Sequence, residues 1–230
     1  MEGILLIYLL TNFFIGSCIA SHACVIYDRY SNDDMILSRS YCKNCNNMLN
    51  LLDEIPIISY LFLKGKCRYC KNSISAELVF TELIGGFTFI KIDFSSYNEL
   101  TTAIMISVLL IIAIFDYKDK EFPTILLLTP FCIILFTKIN IIQNYSIIDL
   151  VELVPITILL IILVSKQKIG SGDLFIYLLI ALYFNPSFAN STFLIASVLL
   201  ITHYIFKKQN ITFPFIPYIF IATVFQLLLE

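Results

Sequence analysis

Residues 99–116 read ELTTAIMISVLLIIAIFD, an apolar run with one acid at each end and none between. A helix crossing the hydrocarbon of a bilayer needs about 20 predominantly apolar residues, so this run is expected to span a membrane and deliver Asp116 to its edge. The rest of the chain has the same character. Hydrophobic residues make up 59% of the 230 positions and charged ones 14%, against roughly a quarter charged in soluble domains, and mean hydropathy is +0.87. An ordinary soluble domain is excluded, and an all-α polytopic membrane protein is expected.

Working outward from that run, about eight transmembrane helices are expected, at roughly 3–26, 77–92, 99–116, 122–141, 147–165, 173–187, 190–206 and 211–229, separated by polar breaks. The first lacks a basic leader segment and a small-residue cleavage site, so it reads as a retained helix. Lys and Arg are kept in cytoplasmic loops close to the membrane, which orients the set. With the N-terminus outside, the seven basic residues from Arg29 to Lys71 and the pairs Lys118/Lys120, Lys166/Lys168 and Lys207/Lys208 all face the cytoplasm. Only Lys91 and Lys138 fall outside.

The expected organisation is a first transmembrane helix over 1–27, a cytoplasmic loop over 28–76, and a membrane-embedded domain of about seven helices over 77–230. The net charge of −2 gives no reason to expect a nucleic-acid partner.

The loop carries Cys42-Lys-Asn-Cys45 and, 21 residues later, Cys67-Arg-Tyr-Cys70. A C-x2-C turn aims two sulfurs at one point, and two such turns complete a tetrahedron of thiolates around a structural zinc ion. Disulfides, a redox dithiol or plain thiols are the alternatives. A loop facing the reducing cytosol favours the metal over the disulfides. Cys18, Cys24 and Cys132 lie in apolar helices, where cysteine acts as a small hydrophobe, and His22 and His203 have no ligand cluster beside them.

Carboxylates at a membrane helix are costly enough to be candidates for function. Asp116 closes the third span, and Asp173 opens the sixth in Gly170-Ser171-Gly172-Asp173. Both fall on the cytoplasmic side of a topology fixed without them. Taken singly, each reads as an ordinary helix-end acid. Taken as a pair at one depth, they can share a proton, one acting as base toward water and the other as acid toward a peptide carbonyl, as an aspartic peptidase requires. Gly170 and Gly172 would give the second acid a supporting loop open to close approach. Glu82 lies within the second span beside Gly85 and Gly86. It is a candidate for binding substrate or cofactor, with helix packing as the alternative.

These residues carry a resemblance. Gly16-Ser17, Ser38-Arg39-Ser40-Tyr41-Cys42, Glu54-Ile55-Pro56, Lys64-Gly65-Lys66-Cys67, Glu82-Leu83-Ile84-Gly85, Asp116 with Pro123, Gly170-Ser171-Gly172-Asp173 and Phe213-Pro214-Phe215-Ile216-Pro217 occur in the order found in bacterial type IV prepilin peptidases, including those that process competence pseudopilins. The chain resembles that family nearly end to end. It departs in having Glu121-Phe122 before Pro123, where an apolar pair is usual, and in lacking Leu-Pro or Ile-Pro after Arg29.

The resemblance implies a multi-pass protein of the bacterial cytoplasmic membrane that cleaves pilin-like or pseudopilin precursors after a glycine, at the cytoplasmic border of their hydrophobic helix. It implies Asp116 and Asp173 as the catalytic pair. It also implies a second reaction in many members, N-methylation of the new terminus with S-adenosylmethionine, for which the sequence shows no glycine-rich nucleotide motif. Two other readings stand beside it. One is an intramembrane aspartic peptidase that cuts other helices; the other is a non-enzymatic transporter or scaffold with a zinc-clipped loop.

Overall fold

The computed structural model describes residues 2–30, 39–137, 145–207 and 213–229, and among these the regular structure is helical, with no strands beyond two isolated bridges. Ser38, Lys138 and Lys208, the end of the expected fourth span and the start of the eighth lie outside the described residues. Two compact units, Met1–Ile111 and Ile112–Glu230, make up the chain.

In the first unit, α1 (Glu2–Arg29) packs on α3 (Ala76–Phe89), with the cysteine loop and the short α2 (Ile58–Phe62) between them in sequence. Small residues set this contact. A Cβ placed on Gly16 would lie 2.3 Å from the Gly85 carbonyl oxygen, and one on Gly85 would lie 2.3 Å from the Ala20 Cβ. Helices in lipid gain nothing from hiding apolar surface from each other, so close backbone approach over small residues is what joins them.

Ser75 caps the start of α3, its hydroxyl accepting from the Glu77 N–H at 3.3 Å. At the other end, the Asn12 amide and the Tyr8 hydroxyl each donate to the Ile92 carbonyl at 2.8 Å. α1 therefore satisfies a carbonyl just past the point where α3 stops, which explains an end short of the expected residue 92. Gly85→Ala is expected to destabilise the unit by about 1–3 kcal/mol, because the obstacle is a rigid helix and not a movable side-chain tip. Thermal unfolding in detergent checks this, and an unchanged midpoint would contradict the packing.

α4 (Tyr97–Asp119) crosses the boundary between the units. The second unit continues with a 3-10 turn (Thr124–Leu127), α5 (Leu128–Thr137), α6 (Ile147–Ser165), α7 (Ser171–Tyr183), α8 (Pro186–Lys207) and α9 (Ile216–Leu229). Ser146 and Asp149 close a reciprocal cap on α6, with the Ser146 N–H donating to the Asp149 carboxylate at 2.8 Å and the Asp149 N–H donating to the Ser146 hydroxyl at 3.2 Å. Asn185 accepts from the Phe188 N–H at 2.7 Å, so α8 begins at Pro186 rather than near 190.

Polar clamps tie these helices together. Tyr177 donates to the Asn190 carbonyl oxygen at 2.7 Å, and Asn190 donates onward to the Glu152 backbone carbonyl at 3.2 Å. Gln226 bonds to Ser191 and to Thr192.

Four helices, Leu5–Arg29, Tyr97–Asp119, Ile147–Ser165 and Pro186–Lys207, are long and apolar enough to cross a membrane. α3, α7 and α9 have 14, 13 and 14 residues. At 1.5 Å per residue each reaches about 20 Å, short of the roughly 30 Å hydrocarbon core without help from flanking chain. Large apolar side chains stand exposed along α6, among them Ile147, Val151, Ile158 and Ile161, as expected of a helix solvated by lipid.

Candidate active site and metal centre

Asp116 lies in the last turn of α4 and is 8% exposed. Its Oδ2 accepts from the Ile216 N–H at 3.0 Å. That amide is the first of α9, one of the four N–H groups that every helix leaves unpaired at its start, so the carboxylate caps a helix that begins 100 residues away. Asp173 is also 8% exposed and occupies the third position of α7. Its Oδ2 accepts from the Gly170 N–H at 3.2 Å. Each acid thus has one oxygen engaged by a backbone amide.

Gly172 helps to bring the surrounding segments together. A Cβ at this position would lie 2.5 Å from Cε1 of Phe122, so the ring following Asp116 rests on the first turn of α7 in space that only glycine leaves open. Phe122 belongs to the pair that departs from the family's pattern, and its packing had no sequence signal. Gly170 has φ −71°, a backbone that any residue adopts. Near the start of α9, His203 bonds to the Tyr218 hydroxyl, and its ring lies 5.1 Å from that of Phe213.

In the first unit the cysteine loop forms two matching turns. The Cys42 N–H donates to the Asn47 carbonyl at 3.0 Å and the Asn46 N–H to the Cys42 carbonyl at 2.8 Å. Cys67 repeats both bonds with Asn72 and Lys71, at 2.8 and 3.0 Å. The residue after each second cysteine, Asn46 at φ 56° and Lys71 at φ 60°, reverses the chain.

The four Sγ atoms lie within 4.8 Å of one another, and Cys42 Sγ is 3.8 Å from Cys70 Sγ. Zinc–sulfur bonds of about 2.3 Å give a tetrahedron with edges of about 3.8 Å. All seven cysteines are free, and this cluster could hold a zinc ion. The Asn44 side-chain amide donates to Cys70 Sγ at 3.5 Å.

Two further interactions hold the loop, and neither was identified from sequence. Arg68 grips Asp53 with a fork of hydrogen bonds at 2.7–3.0 Å, and this pairing lowers the Asp53 carboxyl below its ordinary value. The second involves Glu82, which is 4% exposed and accepts from the Ile57 N–H at 2.7 Å. Ile57 has φ 63° and ψ −51°, and the Ile58 N–H donates to the Pro56 carbonyl at 2.5 Å. This is a γ-turn of the strained hand, centred on a β-branched residue. Such a backbone costs roughly 1–3 kcal/mol and persists only where its surroundings impose it.

Comparison with known proteins bears on the same residues. The Bacterial Peptidase A24 N-terminal domain matches residues 14–95, the stretch holding the cysteine loop and Glu82. A prepilin leader peptidase/N-methyltransferase of Vibrio cholerae is 26% identical over 190 residues, covering 77% of this chain and 74% of that protein. The protein of the same name from Myxococcus xanthus is 32% identical over 115 residues, 48% of this chain and 34% of that one. That from Aeromonas salmonicida is 40% identical over 57 residues, 25% of this chain and 19% of the relative. No solved structure matches the chain. The matched domain, and relatives sharing one name across the region where the motifs follow one another in order, make this chain similar to the prepilin leader peptidases.

Proposed function

We propose that this protein is an aspartic endopeptidase that removes the leader from pilin-like or pseudopilin precursors at the cytoplasmic face of the bacterial membrane, with Asp116 and Asp173 as its catalytic pair. The observation that carries this reading is that two buried carboxylates lie within one unit, each held by a backbone amide.

One proton held between the acids leaves one carboxylate to take a proton from water, while the other donates to the oxygen of the scissile carbonyl. Water adds to the carbon, and collapse of the resulting diol breaks the C–N bond as a proton passes to the leaving amine. The titration belongs to the pair and not to either member.

The expected topology of about eight spans with the N-terminus outside, the divisions at 27 and 76, and a supporting role for Gly170 and Gly172 belong to the same proposal. A zinc ion held by Cys42, Cys45, Cys67 and Cys70 would cross-link the loop and take no part in hydrolysis. N-methylation is the second activity in the relatives' names.

Co-expression with a pilin-like precursor tests the function. The expected result is loss of the leader, with the new N-terminus located by mass spectrometry at the border of the precursor's hydrophobic helix. A cut within that helix would favour a different intramembrane aspartic peptidase, and intact precursor beside well-accumulated protein would favour the transporter or scaffold.

A further inference from the structure

We infer that Glu82 is a positioning residue that latches the four-cysteine loop onto the α1/α3 helix pair by holding Ile57 in its γ-turn. Three observations converge. The carboxylate is almost wholly buried within an apolar helix, where an unpaired charge is not tolerated. Its Oε2 is taken by the Ile57 N–H at 2.7 Å, a bond from membrane helix to loop across 25 positions of sequence. Ile57 holds a conformation that its own side chain disfavours, so something outside the turn must impose it.

The position of the turn gives the latch its consequence. Ile57 lies between the two cysteine turns, four residues after Asp53, which is bound to Arg68 beside Cys67, and directly before α2. Fixing Ile57 therefore fixes the segment from which both cysteine turns depart. Glu82 belongs to α3, which packs on α1, so this one bond ties the loop to the helix pair. The latch needs a hydrogen-bond acceptor at position 82 and does not need its charge. That separates it from a role in binding a cationic substrate group.

The test uses the full chain in membranes and follows trypsin cleavage of the loop at Lys64, Lys66, Arg68 and Lys71, a readout that requires no peptidase activity. When opening is fast relative to cleavage, the rate reports the population of the released loop. Glu82→Ala is expected to speed cleavage about tenfold or more. Glu82→Gln keeps an oxygen for the Ile57 N–H and is expected to stay near wild type. Adding Ile57→Gly to Glu82→Ala relieves the backbone conflict, since glycine adopts positive φ freely, and is expected to restore most of the protection.

A Glu82→Ala loop as protected as wild type would overturn the inference. So would Glu82→Gln behaving like Glu82→Ala with no recovery from Ile57→Gly. Should Glu82→Ala fail to accumulate, Glu82→Gln and the double variant still decide. Precursor processing measured on the same variants is expected to follow loop protection rather than charge at position 82.

Discussion

Asp116→Asn and Asp173→Asn are each expected to slow precursor cleavage by roughly a thousandfold or more, with protein accumulation and thermal midpoint near wild type. The asymmetry between function and fold comes from what asparagine keeps. Its carbonyl oxygen can still accept from the Ile216 N–H at position 116 or from the Gly170 N–H at position 173, so the bonds that engage Asp116 and Asp173 in the fold survive. What asparagine cannot do is exchange a proton with water or with a carbonyl. Each acid is needed in both the uptake and the return of that proton, so the two losses should not add. The double variant should be no slower than either single one, as in catalytic sets that act as a unit. Wild-type processing by either single variant, or losses that multiply in the double, would remove the dyad.

How far the site could be read from sequence depended on the distance over which each interaction reaches. The cysteine turns were legible because every bond that forms them lies within six positions of its cysteine, and C-x2-C with asparagine or lysine next already encodes the reversal at Asn46 and Lys71. Asp116 and Asp173 could be marked as candidates because the cost of acid at a membrane helix and the distribution of lysines and arginines can both be read in one dimension. The amide that holds Asp116 could not, because Ile216 is 100 residues away and any residue except proline supplies an N–H.

Glu82 divides in the same way. Its cost inside an apolar helix marked it at once, but no property of Ile57 announces a γ-turn; isoleucine argues against one. Helix ends were misplaced where tertiary contacts or caps set them. α3 stops where Asn12 and Tyr8 satisfy the carbonyl of Ile92, and α8 starts early because Asn185 precedes a proline. The second of these could have been read locally. The first could not.

Purified protein is expected to carry about one zinc ion per chain, and Cys42→Ser with Cys67→Ser to abolish both the metal and the ordered loop. The physical ground is how little else holds the loop together. Leu51, Leu52, Leu61 and Phe62 are exposed at 72, 64, 67 and 84%, and only Cys67 among the four ligands is buried. Among the described residues of the loop no large aliphatic or aromatic side chain is fully buried, so little hydrophobic burial offsets the entropy of ordering the segment. The Asp53–Arg68 pair, with Arg68 half exposed, is screened by solvent and contributes little. The Glu82 bond is opposed by the strain it imposes. A tetrathiolate zinc site contributes an apparent free energy of about 10–16 kcal/mol in small zinc domains, which makes it the dominant constraint. Removing it should release the loop to trypsin more completely than loss of the Glu82 latch, while α1 and α3, joined over Gly16, Ala20 and Gly85, stay paired. Metal analysis with parallel proteolysis before and after chelation decides the matter. Well-folded protein without zinc, or a loop equally protected after chelation, would show that the cysteines hold it together by other means.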